Sequence, residues 1–244
     1  MNQKRGPILL VPLIAFSTGF ASSPTSLGRR PPGEAFASSE NAGSLASPET
    51  RPAALDAAES SQDQPGLRLL ERVAATEDPY HEPATGLLFP RTIGTWRRGR
   101  AQQYPPGLGM SIDYDAEEGA RTTIYVYDFG LRSIPPGPAS VPVKEQFRQA
   151  KSEGFEAERL GRYLSVTHTG DDLARLGNSP DAPVALRASF EIRVRQGDLL
   201  SLLYITGYKN QFFKMRISYA VEKRVACEQA IESLLGHLGA MLKG

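Results

Sequence analysis

The sequence predicts an α+β domain, built on an antiparallel sheet with a helix after the third strand and a long amphipathic helix at the C-terminal end. Three observations carry this. Short segments with period-two alternation follow one another across tight turns, as in antiparallel meanders. Only "VKEQFRQAKSEGF" and "AVEKRVACEQAIESLLGHLGAMLKG" repeat apolar residues at clear helical spacing within that region. The segment "LLSLLYITGY" is apolar on both alternating sets of positions, which suits a central strand covered on both faces. Two helices and a doubly covered strand together suggest one helix on each side of the sheet, an α/β/α sandwich.

The domain is expected over residues 80–244 of a 244-residue chain. "TIGTWRRGRAQQY" is the first strand, ended by Pro105-Pro106-Gly107. "GMSIDYD" is the second, with Met110, Ile112 and Tyr114 on one face. "AEEGA" turns the chain into "RTTIYVYDFG", and the pair reads as a hairpin. In that third strand Tyr125, Tyr127 and Phe129 share one face, and Ile124, Val126 and Asp128 the other. "IPPGPASVP" then forces a loop, because proline lacks an amide donor and fixes its own backbone.

In the first helix Val143, Phe147 and Ala150 form a stripe, and Gly154 is placed to end it in a left-handed conformation. "RYLSVTHTG" is a fourth strand, with His168 in line with Leu164 and Val166 and read as a core histidine. "DDLARLGNSPDAP" carries loop signals. "VALRASFEIRVR", "LLSLLYITGY" and "QFFKMRISY" follow as a meander, turning at Gln196-Gly197-Asp198 and Lys209-Asn210. Cys227, Ile231, Leu234, Leu238 and Met241 make the stripe of the last helix.

Ahead of the domain the composition changes. Lys4 and Arg5, an apolar run from Ile8 to Phe20, and small residues at Gly19 and Ala21 predict a signal peptide over residues 1–21. The run is shorter than the roughly 20 residues that span a bilayer. No Cys follows it to take a lipid, and no later segment is apolar enough to span. Residues 22–65 are rich in Ser, Ala, Pro and Gly and poor in large apolar side chains, so they read as a disordered linker. "GLRLLERVAATED" predicts a short helix within residues 66–79. The expected location is therefore outside the cytoplasm, in the periplasm or the medium. The single Cys227 cannot form an intramolecular disulfide and is expected to be buried and inert.

The residues of "GLLFPRTIGTWRR", followed by "GLGMSIDYD" and "TTIYVYDFG", resemble a group of uncharacterised exported bacterial proteins, over about residues 80–131. That resemblance implies export and no particular activity. The order of strands and helices, with "FFKMRISY" leading into a long final helix, is similar in topology to the PsbP-like α/β/α sandwich. This implies a fold used by binding proteins and assigns no functional residue.

Motifs exclude more than they assign. The Asp128-Phe129-Gly130 triplet matches the magnesium-binding triplet of protein kinases. The Gly-rich loop and the H-R-D catalytic loop that must accompany it are missing. "DYDAEEGA" fails the calcium-loop pattern, since its sixth and twelfth positions are Glu118 and Ile124. His81, His168 and His237 show no metal-ligand spacing, and there is no G-x-S-x-G, P-loop or dinucleotide motif. No cofactor is called for. A net charge of +1 gives no general pull toward nucleic acid. Two ligand-binding candidates remain. Tyr125 and Tyr127 can line a groove. Arg193, Arg195, Lys214 and Arg216, taken as outward positions on two strands, can form a basic face. The expected function is a non-catalytic binding or interaction module of the cell envelope, with a protein or small-ligand partner. The alternatives are a hydrolytic enzyme with an unrecognised site and a structural or assembly factor.

Overall fold

The structure is a computed structural model that describes residues 77–243. The signal peptide, the linker and residues 66–76 of the expected short helix lie outside the described residues. In chain order the elements are β1 (Tyr80–His81), β2 (Leu88–Phe89), β3 (Thr92–Ile93), β4 (Trp96–Gln103), β5 (Met110–Ala116), β6 (Arg121–Tyr127) and α1 (Val141–Arg159). Then come β7 (Ser165–Arg175), β8 (Val184–Val194), β9 (Gly197–Tyr208), β10 (Gln211–Ala220), a short 3-10 turn and α2 (Arg224–Met241). β1 and β2 pair as a small separate hairpin. The other strands form one antiparallel sheet in the order β3-β4-β5-β6-β10-β9-β8-β7.

Strand alternation sorts the apolar side chains into two cores, one on each face. Met110, Ile112, Ile124, Val126, Met215 and Ile217 point to the face where α2 lays down Cys227, Ile231, Leu234 and Leu238. Trp96 closes this core and donates its indole N–H to the carbonyl of Ala230 on α2 at 2.8 Å. On the opposite face Phe190, Ile192, Leu203, Ile205 and Phe212 meet Val143, Phe147 and Ala150 of α1. β9 supplies both cores, with Tyr204 in the first and Leu203 and Ile205 in the second. The expected helix–sheet–helix layering and the doubly covered strand are both present.

Several local expectations are corrected. The first strand is split: β3 and β4 form a tight turn, and β4 carries a bulge between Arg98 and Ala101. Gly154 does not end α1. It is buried inside the helix on the side facing β7, where a Cβ would make ordinary contact with Val166 Cγ1 at 3.6 Å. The helix stops five residues later, and Gly161, at φ +69°, takes the left-handed position instead. The residues "DDLAR", read as loop, continue β7 and pair with β8. Asp172 is held there by an ion pair with Arg187, whose Nε lies 2.7 Å away. His168 is not a core residue. β7 is the edge strand and bulges between His168 and Gly170, which leaves the imidazole partly exposed, with Nε2 2.7 Å from Asp171 Oδ1.

Candidate functional site

α1 is a 19-residue helix, about 28 Å long, and it packs on β7, β8 and β9. The same face of the sheet continues beyond it across β10, β6, β5 and β4. Ladder register defines the rows that cross this boundary. One row runs Gln102, Ser111, Tyr125, Lys214, Ile205. The next runs Asp113, Thr123, Arg216, Leu203, Ala188. A third runs Asp115, Arg121, Ser218, Ser201, Phe190. The first two turn from polar to apolar between β10 and β9, and the third does so one strand later. The boundary is where α1 begins to cover the sheet.

The polar half is ordered by its own contacts. Tyr104 lies over Ser111, with their hydroxyls 3.0 Å apart. Thr123 Oγ1 donates to Asp113 Oδ1 at 2.8 Å, and Arg100 Nε stands 3.9 Å from the other carboxylate oxygen. Burial raises the Asp113 carboxyl above its ordinary range, with the Thr123 hydrogen bond and Arg100 pulling the other way. Tyr125 is half-buried among these groups, and burial pushes its phenol well above the ordinary value.

At the boundary two cations lie under the edge of α1. Lys214 Nζ is 3.3 Å and 3.4 Å from the two Glu153 oxygens and 4.7 Å from the centre of the Tyr125 ring. Arg216 donates to the carbonyl of Ala150 at 2.9 Å, and its nitrogen lies 3.8 Å from Glu153 Oε2. Lys214 is only 9% exposed and Arg216 8%. Burial lowers the Lys214 pKa, Glu153 opposes the shift, and Arg216 adds to it.

The predicted basic face therefore does not exist as one surface. The charged positions of β10 point toward α1, whereas Arg193 points to the opposite face of the sheet. Arg193 is exposed there and paired with Asp198 at 3.0 Å, and Arg195 lies in the exposed turn after β8. Alternation alone identifies which residues share a face. It does not say that a helix covers one. The two tyrosines are also separated in role. Tyr127 is buried against Phe129 and Phe212, with ring centroids 4.7 Å and 5.4 Å away, and belongs to the α1 core. Tyr125 sits at the border.

Asp128, Phe129 and Gly130 form a turn. Asp128 Oδ1 accepts from the Gly130 amide at 2.7 Å, and Phe129, at φ +52°, donates its amide to the carbonyl of Gly107 at 2.7 Å. The proline loop that follows docks on the β9–β10 hairpin. The Ile134 amide donates to Asn210 Oδ1 at 2.8 Å, and Gly137 bridges to Gly207, where a Cβ would stand 2.1 Å from the Pro135 carbonyl. Behind the loop is a shallow cleft of about 340 Å³, walled by Pro136, Pro183, Val184, Tyr208 and Leu242 and without a charged side chain. Among the described residues no three His, Cys, Asp or Glu side chains gather as a metal site. Cys227 is buried, and burial raises its thiol pKa.

Sequence reasoning missed Tyr104, Ser111, Thr123 and Glu153. The signal was present for the strand residues: Ser111, Asp113 and Asp115 alternate with the apolar Met110, Ile112 and Tyr114. Glu153 could be found only from the packing of α1.

No protein-family model matches the chain, and no curated protein is similar to it. The Gly86–Arg97 pattern thus has no matching family model. Among solved structures, the chain is similar to cyanobacterial PsbP (CyanoP) from Synechocystis sp. PCC 6803, known from a solution structure. The likeness has a TM-score of 0.39 and 10% sequence identity, over 64% of this chain and 86% of that one. At that level the likeness assigns no functional residue of this chain.

Proposed function

We propose that the chain is a non-catalytic binding module whose working surface is the uncovered half of the α1 face, across β4, β5 and β6. One observation carries the reading. Where α1 stops covering the sheet, the side chains change from apolar to an ordered set of hydroxyls, carboxylates and tyrosine rings. Such a set offers flat aromatic area and directional hydrogen bonds without a deep cavity, which suits a protein segment or a polar small ligand. The hydroxyls of Ser111 and Thr123 are engaged by Tyr104 and Asp113.

The N-terminal sequence supports export, with the linker giving the domain reach. No helix among the described residues is long and apolar enough to cross a membrane. The test is capture of partners from an envelope extract and the medium by the wild-type chain and by the Tyr104→Ala/Tyr125→Ala double variant. Loss of a captured partner with unchanged circular dichroism supports the reading, and identical capture by both removes it. Sequencing the N-terminus of the exported chain should find Ser22 first; a retained Lys4 would exclude cleavage.

A further inference from the structure

Around the uncovered half-face the exposed cations have their own carboxylates. Arg97 is paired with Glu117 at 3.3 Å, Arg121 with Asp115 at 3.0 Å, and Arg100 stands by Asp113 at 3.9 Å. Glu153 is the exception, because one carboxylate serves both Lys214 and Arg216. The two cations are also the most buried members of the set. Among the described residues, Glu153 and Arg216 are the charged side chains that bear on Lys214. A surplus positive charge is thus held at the border between α1 and the open sheet. Water screens such a surplus poorly, and an unmatched buried charge is the costly kind. The distances agree, since none of the three contacts to Glu153 is shorter than 3.3 Å, longer than the 2.7–2.9 Å of a tight charged pair. The border reaches solvent at Glu153, whose side chain is 31% exposed, beside the half-buried Tyr125.

We infer that Lys214 and Arg216 form a carboxylate subsite, in which a ligand carboxylate becomes the second anion of a two-cation, two-carboxylate set. The inference rests on the reading of the uncovered half-face as the binding surface and names the chemistry of what binds at its inner edge. The carboxylate comes either from a free small organic acid or from an acidic side chain of a partner segment. Guanidinium and ammonium groups side by side provide directional and point-charge recognition of the same oxygens. The Tyr125 ring beside them limits access of water.

The test is a titration of the whole chain with sodium acetate and, separately, with a hexaglutamate peptide. Sodium chloride at matched ionic strength and hexaglutamine are the controls. The readouts are the thermal midpoint and the side-chain nitrogen resonance of Lys214. Saturable binding of acetate supports the subsite with a free acid as its source. Saturable binding of hexaglutamate alone supports it with a partner segment as its source. Glu153→Gln removes the competing carboxylate, so binding should tighten by roughly fivefold or more, the effect of one like charge about 4 Å away even in high dielectric. Lys214→Met keeps the stem on Tyr125 and should abolish binding. The inference is overturned if neither probe gives a saturable response in wild type and Glu153→Gln, or if Lys214→Met responds as wild type does. Partner capture by the tyrosine variants is read independently, so a failed subsite and a failed binding surface are distinguishable.

Discussion

The two halves of the α1 face are built from the same strands and the same alternation, yet they have opposite chemistry. Under the helix the inward residues are Ala188, Phe190, Leu203 and Ile205, each at most 1% exposed. Beyond it the equivalent ladder positions hold Ser111, Asp113, Thr123 and Tyr125. Ser111 and Thr123 are still largely buried, so the difference is not simply exposure. On one side burial is driven by apolar area and on the other it is tolerated because the polar groups are paired. Truncation should therefore be costly for folding on the covered side and felt mainly in recognition on the other.

The largest effect is expected in the covered half. Phe190→Ala should cost about 3–5 kcal/mol, measured by urea denaturation. If Tyr125→Ala cost as much, the uncovered half would be a core as well and the contrast would fail. At the border the order of two variants is diagnostic. Glu153→Gln leaves two buried cations without an anion and should cost about 3 kcal/mol. Arg216→Met leaves Lys214 and Glu153 as a one-to-one pair and loses the bond to Ala150, so about 1 kcal/mol is expected. A reversed order would mean that Arg216 is held by its backbone contact and not by charge.

Alkaline pH sharpens the same comparison. Burial raises the phenols of Tyr125 and Tyr127 above the ordinary value of 10.0. A raised folded pKa means that both states are neutral below that value. Above it the unfolded chain ionises first and stability is lost as pH rises. Tyr125→Phe should therefore reduce the fall in urea midpoint between about pH 8 and about pH 11. An unchanged fall would place the sensitivity elsewhere. The smallest effect belongs to the outer rim. Arg121→Ala breaks an ion pair whose partners are 49% and 57% exposed and should change stability by no more than about 0.5 kcal/mol.

Much of this architecture was legible from residue patterns. Gly119, at φ +101° between two alternating runs, marks the β5–β6 hairpin. The stripe from Cys227 to Leu238 marks α2, and the unbroken apolarity of β9 announces two covered faces. The border was not legible. Period-two spacing places Lys214 and Arg216 together, but whether they meet water depends on how far α1 reaches. That reach depends on α1 running on five residues past Gly154, a tertiary override of a local stop signal. The family of polar residues on β5 and β6 was visible as alternation. Its meaning required knowing which half of the sheet has no helix above it.

The strand order also has a kinetic consequence. The sheet consists of two local meanders, β3 to β6 and β7 to β10, joined only where β6 meets β10. At that junction Thr122 donates to the Arg216 carbonyl across 94 residues of chain. Closing so long a loop is entropically slow, and short-range hairpins form first. Met215→Ala, at the junction, should then accelerate unfolding and leave refolding nearly unchanged, whereas a variant within the β8–β9 hairpin should slow refolding. Tyr125 and Lys214 face each other across this late-forming junction. A half-folded chain would contain every residue of the recognition surface and none of its geometry, so binding itself would report that the two meanders have joined.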